Sequence, residues 1–109
     1  MILLRFSETF EFLENALRFI GEDGIIKLEN HLCRNPTQGK VIQGSGGIRK
    51  LRWGSADTGK RGGYRVIYYF VVAADRILLL DIYSKRQKRD LTRDEIKELA
   101  AAVKEILKA

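Results

Sequence analysis

The sequence has few of the residues from which metal and redox sites are built. It contains one cysteine, Cys33, and one histidine, His31. A lone cysteine forms no disulfide within the chain and lacks a second thiolate for zinc, so no metal site is expected. Cys33 follows Leu32 in a helical pattern, which favours a buried structural thiol. His31 is expected to be a surface or half-buried helix residue rather than a general base.

Other common motifs are absent too. Neither G-x-x-x-x-G-K-[ST] nor G-x-G-x-x-G occurs, and the glycine-rich run 44–47 precedes a strand pattern instead of a helix, so it forms a tight turn or lets RNA approach closely. Asp81 lies in an apolar run without a matching second acid, which argues against a paired-carboxylate enzyme. Asp90 is better explained as orienting a basic loop or a helix start. No cofactor is expected.

Long hydrophobic runs are missing as well. No apolar run approaches the roughly 20 residues that span a bilayer, and residues 1–6 are too few for a secretory signal. With 109 residues and 45% hydrophobic content, the chain is expected to form one domain over 1–109. The expectation is a cytoplasmic protein without a membrane partner.

Positive charge is abundant and unevenly distributed. The formal net charge is +6 and the pI is near 9.7. Residues 1–30 are net acidic, whereas the cations are concentrated in residues 49–65 and 85–93. This distribution favours an anionic partner.

Hydrophobic periodicity predicts three helices. The first follows the potential N-cap Ser7 and ends near Gly21, and the second ends before the Asn-Pro pair at 35–36, because the residue before proline avoids the helical region. In the third, Thr92 and Glu95 form a T-x-x-E capping box. The stripes expected to face the core are Phe10, Leu13, Leu17 and Ile20, then Ile25, Leu28 and Leu32, and finally Ile96, Leu99, Ala100, Val103, Ile106 and Leu107.

Strand patterns lie between the second and third helices. Residues 48–53 alternate with period two, and the runs 64–72 and 76–83 are rich in β-branched and aromatic residues, as in central strands. A short turn between the last two predicts antiparallel pairing. With a possible edge strand at 1–6, the expected class is a compact α+β domain whose N-terminal helices and C-terminal helix pack on an antiparallel sheet.

The strands carry the cations. Alternation puts Lys50 and Arg52 on one strand face, Arg65 begins the next strand, and other cations follow the third. Such a group suits a phosphate chain, because arginine offers a planar fork of donors and lysine a compact charge. In RNA cleavage by the ribose 2′-hydroxyl, arginine can stabilise the anionic phosphorane and a lysine among cations can act as base. The residues that could converge are Lys50, Arg52, Arg65, Lys85 and Arg86, with Lys60 and Arg61 in the intervening loop.

Four segments resemble toxins of the RelE/HigB type. They are I-Q-G-S-G-G-I-R-K-L-R at 42–52, G-K-R-G-G-Y-R-V-I-Y-Y at 59–69, I-L-L-L-D-I-Y-S-K at 77–85 and D-L-T at 90–92. The second segment is typical of the HigB-like branch. The resemblance covers about residues 36–107, and the helical hairpin before it agrees with the family layout.

This resemblance implies a RelE-like fold and a ribosome-dependent mRNA endonuclease that cleaves mRNA in the A site without a metal. It implies a cognate antitoxin, expected to be a helix-turn-helix protein. Arg65 is assigned to phosphate stabilisation, Lys50 and Arg52 to base or charge-stabilising roles, and Lys85 or Arg86 to the leaving group. The catalytic candidates are Lys50, Arg52, Arg65 and Lys85; the RNA-binding candidates are Arg49, Lys60, Arg61, Tyr83, Arg86, Lys88 and Arg89.

One departure and two alternatives stay open. Some relatives carry an aromatic residue near the start of the last helix, where this chain has Thr92. Tyr83 could stack on a base or act in place of that aromatic residue, or it could simply pack within its strand. The alternatives are a non-nucleolytic toxin that inhibits gyrase, as ParE-like relatives do, and an inactive basic module that binds nucleic acid.

Overall fold

The computed structural model describes residues 3–54, 63–88 and 90–108. The α+β class is confirmed, and the second helix ends directly before the Asn-Pro pair, as predicted. In chain order the elements are β1 (Arg5–Glu8), α1 (Phe10–Phe19), α2 (Gly21–Arg34), β2 (Lys40–Val41), β3 (Arg49–Trp53), β4 (Tyr64–Val71), β5 (Arg76–Ser84) and α3 (Arg93–Lys108), with a short 3₁₀ turn (Val72–Ala74) between β4 and β5.

The five strands form one mixed sheet in the order β1-β5-β4-β3-β2. Strands β2 to β5 pair antiparallel, as expected, but β1 pairs with β5 in parallel. The edge strand runs over Arg5–Glu8 rather than residues 1–6. The two-residue strand β2 lies in a segment expected to be a loop, because two residues are too few to show a periodicity.

Helix capping agrees with the sequence at α3 and differs at α1. The Thr92 backbone N–H donates to Glu95 Oε1 at 2.8 Å and the Glu95 N–H donates to Thr92 Oγ1 at 3.1 Å, which confirms the capping box. At α1 the cap is Thr9, whose Oγ1 accepts from the Phe12 N–H at 3.0 Å. Ser7, the expected cap, lies in β1 instead.

One face of the sheet is covered by α1 and α2. The fully buried helix residues include Phe12, Ala16 and Leu28, each 0% exposed. The stripe expected to face the core in α1 is wrong at Phe10 and Leu17, which are 75% and 50% exposed, but Ile20 at its end does pack against the core. Helix α1 carries two apolar stripes, and the one with the small Ala16 packs on the sheet because a small side chain lets the helix approach closely.

The opposite face is covered by α3 over only part of its area. Ile67, Leu78 and Leu80 are buried there beneath Val103. The predicted α3 stripe is confirmed at Leu99, Ala100, Val103 and Ile106, whereas Leu107 is 43% exposed. Among the helices of the described residues, none combines the length and the apolar character needed to cross a bilayer.

Candidate nucleic-acid interface and active site

Strand register brings the predicted cations together. Arg52 on β3 lies directly opposite Arg65 on β4, and Arg65 lies opposite Tyr83 on β5. Lys50, two residues before Arg52, is opposite Lys40 on β2. Directly opposed residues project from the same sheet face, as do residues two apart on one strand. Five side chains from four strands therefore share one face.

The four cationic side chains of this set line a cleft on that face. The cleft has a volume of about 590 Å³. We call it the basic cleft; the described residues that line it are Gln38, Lys40, Lys50, Leu51, Arg52 and Arg65. With four cations and no carboxylate in that lining, it suits a polyanion such as the backbone of RNA.

Burial differs sharply between the two arginines of the cleft. Arg52 is exposed, whereas Arg65 is only 7% exposed and donates from Nη1 to the Tyr64 carbonyl oxygen at 3.1 Å. Burial restricts the rotamers of Arg65 and holds its planar set of donors in place. A fixed donor set is what stabilisation of a developing phosphorane charge requires.

Asp90 connects the cleft to the start of α3. Its Oδ1 accepts from the Leu91 backbone N–H at 2.8 Å and from Lys50 Nζ at 3.0 Å. The Leu91 N–H, and then the hydrogen bond from Lys50, hold the pKa of the Asp90 carboxyl below its usual value. Asp90 thus orients both a cleft lysine and the helix start.

Tyr83 lies at the inner end of the cationic row. It is 6% exposed, and its hydroxyl is buried without a hydrogen bond to any described residue. Burial, together with the negative charge of Asp90, raises the pKa of Tyr83 to about 12, so the phenol is protonated at neutral pH. Lys88 Nζ lies 5.4 Å from the ring centroid and also pairs with Glu95. The Tyr83 ring is therefore packed, and a base could stack on it only if the side chain moved.

Two predicted residues lie in the turn after β5. Lys85 and Arg86 are exposed, and neither belongs to the lining of the basic cleft. The Lys85 backbone N–H donates to the Gly63 carbonyl oxygen at 3.1 Å, which places the turn beside the residue two before Arg65. The turn therefore lies at the end of the sheet where β4 begins, which is the end that carries Arg65.

Arg49 lies apart from this group. It is opposite Tyr68 and on the sheet face away from Lys50. Its Nη1 donates to the carbonyl oxygens of Thr37 and Gly39 at 3.1 and 2.8 Å, so it braces the segment before β2. The predicted RNA-binding residues Lys60, Arg61 and Arg89 lie outside the described residues.

Sequence reasoning missed Gln38 and Lys40, which line the cleft from the segment before β3. This segment is fixed by Tyr68, whose hydroxyl accepts from the Gly39 N–H at 2.9 Å and donates to the Pro36 carbonyl oxygen at 2.8 Å. A Cβ on Gly39 would lie 2.9 Å from the Tyr68 ring, so only glycine fits. No periodicity marks these residues, and only the structure reveals them.

The two residues that the sequence singled out as rare are both on α2. His31 is half-buried, bonds to Gln38 through Nε2 and Oε1, and meets the Trp53 ring edge-on at 5.2 Å between centroids. Among the described residues, Gln38 is the one of the cleft lining to which His31 is bonded. Cys33 is half-buried rather than buried. Within residues 3–54, 63–88 and 90–108, no group of three or more His, Cys, Asp or Glu side chains is placed to hold a metal ion.

Comparison with known proteins addresses the fold. No protein-family model matches the chain. A double-mutant Escherichia coli toxin RelE in the free state is similar with a TM-score of 0.60 and 12% identity, over 93% of this chain and 97% of that one. The isolated E. coli RelE toxin gives a TM-score of 0.54 at 16% identity, over 95% and 99%. A chain of the intact E. coli RelBE toxin–antitoxin complex gives 0.55 at 15%, over 75% and 96%. These likenesses confirm the RelE-like fold; the HigB-like branch stays a prediction.

Proposed function

We propose that this chain is the toxin of a type II toxin–antitoxin pair, and that it cleaves mRNA on the ribosome with the side chains of the basic cleft. The observation that carries the proposal is the juxtaposition of Arg52 and Arg65 across β3 and β4, beside Lys50, on a RelE-like sheet. A buried, fixed arginine at the base of a cationic cleft favours phosphate chemistry over the gyrase inhibitor and the inert binding module.

The proposed reaction is attack of a ribose 2′-hydroxyl on the adjacent phosphorus. The 2′-oxygen loses a proton as it bonds to phosphorus, and the 5′-oxygen of the next nucleotide leaves and takes up a proton. Arg65, held in place by burial, stabilises the negative charge that builds on the phosphoryl oxygens. Positioning of the RNA across the cleft supplies much of the remaining acceleration. The residues assigned to this reaction include no metal ligand.

The other cationic side chains divide the remaining tasks. Arg52, whose guanidinium stays protonated, holds the scissile phosphate, and Lys50 either holds the same phosphate or, in its neutral form, accepts the 2′-proton. Lys85, in the turn at the same end of the sheet, or its neighbour Arg86, assists the leaving oxygen. Tyr83 could donate a proton in that step only if its buried side chain moved, because burial encloses the hydroxyl and raises its pKa to about 12, which makes it a weak acid.

The partners follow from the same proposal. The E. coli RelBE complex pairs its toxin with an antitoxin. For this chain we infer a cognate antitoxin, the ribosome and mRNA as partners, and the cytoplasm as the place of action. The cationic loop residues Lys60, Arg61 and Arg89 are proposed to contact the RNA backbone or ribosomal RNA.

The deciding experiment expresses the wild-type chain and Arg65→Ala in growing bacteria and maps new mRNA 5′ ends. Wild type should arrest growth and generate ends within codons, and Arg65→Ala should do neither. Arg18→Ala, an exposed arginine on α1, is the matched control and should behave as wild type.

Other outcomes identify the alternatives. Growth arrest with altered plasmid supercoiling and no new mRNA ends would assign the chain to the gyrase inhibitors. No arrest by the wild-type chain, together with RNA binding in vitro, would leave only the inert module.

A further inference from the structure

An apolar stripe on α1 is left uncovered by the fold. Phe10, Leu13 and Leu17 are 75%, 36% and 50% exposed. Their spacing of three and four residues puts them in one row, which is about 10 Å long at 1.5 Å per residue. Three large apolar side chains in one row are more than the scattered exposure that a protein surface normally shows.

A groove between α1, β5 and α3 reaches the first turn of α1, the turn in which the stripe begins. Thr9 and Glu11, the two neighbours of Phe10, belong to its lining. Its volume is about 270 Å³, which is below the usual size of a small-molecule site and fits one or two side chains. Its apolar lining consists of Leu80, Leu91, Leu99 and Ala102.

The polar lining of the groove is acidic. Among the described lining residues four are carboxylates, and Lys88 is the one cation. Lys88 already pairs with Glu95, and Asp81 accepts hydrogen bonds from Asn15 and from the Ile82 N–H. Glu11 and Glu98 form no ion pair with a described residue. The four carboxylates are Glu11, Asp81, Glu95 and Glu98.

We propose that this stripe and groove, which we call the acidic-apolar face, bind a cationic amphipathic segment of a protein partner. Apolar side chains of the segment would cover Phe10, Leu13 and Leu17, and a lysine or arginine would enter the groove between Glu11 and Glu98. The proposal rests on the proposed function in that the partner is the antitoxin. It adds the chemistry of the segment and a docking place whose lining shares no described residue with that of the basic cleft.

Charge complementarity selects this occupant. The chain has a net charge of +6, yet this face is acidic, so RNA that is attracted by the basic cleft is repelled here. A second copy of the chain would bring the same acidic rim against itself, at positions such as Glu11 and Glu14. A cationic segment satisfies both the unpaired carboxylates and the exposed stripe.

The test uses the full chain and two synthetic 18-residue helical peptides as probes. Both peptides carry the same leucine stripe; one has lysine and the other glutamate on its polar face. Fluorescence anisotropy at about physiological salt, with a Debye length of about 8 Å, measures their affinities. The lysine peptide should bind at least tenfold more tightly than the glutamate peptide.

Variants locate the binding site. Leu13→Ser with Leu17→Ser, and separately Glu11→Lys with Glu98→Lys, should each weaken the lysine peptide at least tenfold. Val72→Ser is the matched control, because Val72 is 70% exposed on another part of the surface. All changes are at exposed or rim positions, so a thermal melt should show the fold retained in each.

Three results would overturn the proposal. One is equal affinity for the two peptides, and another is binding that the stripe and charge variants leave unchanged. The third is concentration-dependent dimerisation of the chain, measured by sedimentation, that Leu17→Ser abolishes, which would give the face to a second copy. None of these measurements involves RNA cleavage, so failure here and failure of the nuclease proposal are distinguishable.

Discussion

The two faces of the central sheet differ in how much of their area is covered by helices. On the α1–α2 face, Val66 and Tyr68 of β4 are fully buried. On the α3 face, Ile67 is buried, whereas Arg65 on the same strand lines the basic cleft. Side chains that alternate along one strand therefore serve a core on one side and a cationic site on the other. Because α3 covers only part of this face, the uncovered strands can carry a site on a rigid sheet, and the small domain needs no additional layer of secondary structure.

The largest effect on stability is expected in the core beneath α1, where Phe12 is fully buried. Phe12→Ala should lower the free energy of unfolding by about 3–5 kcal/mol, because it removes a fully buried ring and leaves a cavity. Urea denaturation measures this loss. Phe10→Ala, the same change two residues earlier on an exposed side chain, should stay within about 0.5 kcal/mol. A larger loss for Phe10→Ala than for Phe12→Ala would show that the stripe containing Phe10 is the one packed on the sheet.

The uncovered face is tested by Arg65→Ala. Loss of one donor to the transition state should lower the rate of mRNA cleavage on purified ribosomes by about 10²–10³-fold. Primer extension over time gives the rate. Arg65→Lys should recover only part of it, because an ammonium cannot reproduce the planar donor set. If the cleavage rate of Arg65→Ala equals that of the wild type, the basic cleft is not the place where the RNA is cleaved.

A third change tests the link between the two faces. Tyr68→Phe leaves the buried Gly39 N–H without its acceptor and should cost about 1–3 kcal/mol of stability. It also frees the segment that carries Gln38 and Lys40, so affinity for single-stranded RNA should fall with it. Tyr69→Phe, on the neighbouring and partly buried tyrosine, is the control. If the RNA affinity is unchanged, the cleft does not depend on this anchor.

The smallest expected effect depends on pH and belongs to the covered face. Burial, and then the hydrogen bond and charge of Glu8, raise the pKa of Glu29 to about 7 from 4.5. The folded state therefore holds a proton that the unfolded state releases, and stability falls as pH rises from about 4.5 to about 7. Because solvent screens this half-buried pair, we expect about 1 kcal/mol.

The measurement is urea denaturation of wild type and Glu29→Gln at about pH 5 and about pH 8. The difference between the two pH values should shrink in Glu29→Gln, since an amide does not titrate. An identical pH dependence in both proteins would remove Glu29 as its source.

Much of the fold was predictable because local patterns were strong. The T-x-x-E capping box and the apolar stripe of α3 act within a few residues, and the structure shows both. The end of α2 before Pro36 follows from a steric preference of the residue that precedes proline, which acts locally. In α1, however, two stripes compete, and only packing against the sheet decides between Phe10 and Phe12.

The site was predictable in composition but not in arrangement. Alternation placed Lys50 and Arg52 on one face, yet the pairing of Arg52 with Arg65 depends on a register that sequence does not fix. Lys40 belongs to a two-residue strand, and its place depends on the distant Tyr68. Residues fixed by contacts far along the chain leave no local pattern.

The ion pair between Lys50 and Asp90 gives the cleft a tethered counter-ion. A phosphate that contacts Lys50 also lies near the Asp90 carboxylate, so Lys50 neutralises the charge of the phosphate only in part. The phosphate therefore keeps some of the counter-ions that it would otherwise release on binding. For single-stranded RNA, the logarithm of the binding constant falls with the logarithm of the salt concentration, with a slope of about −0.7 for each phosphate that is fully neutralised. The affinity of this cleft for RNA should therefore vary with ionic strength less steeply than its number of cations implies.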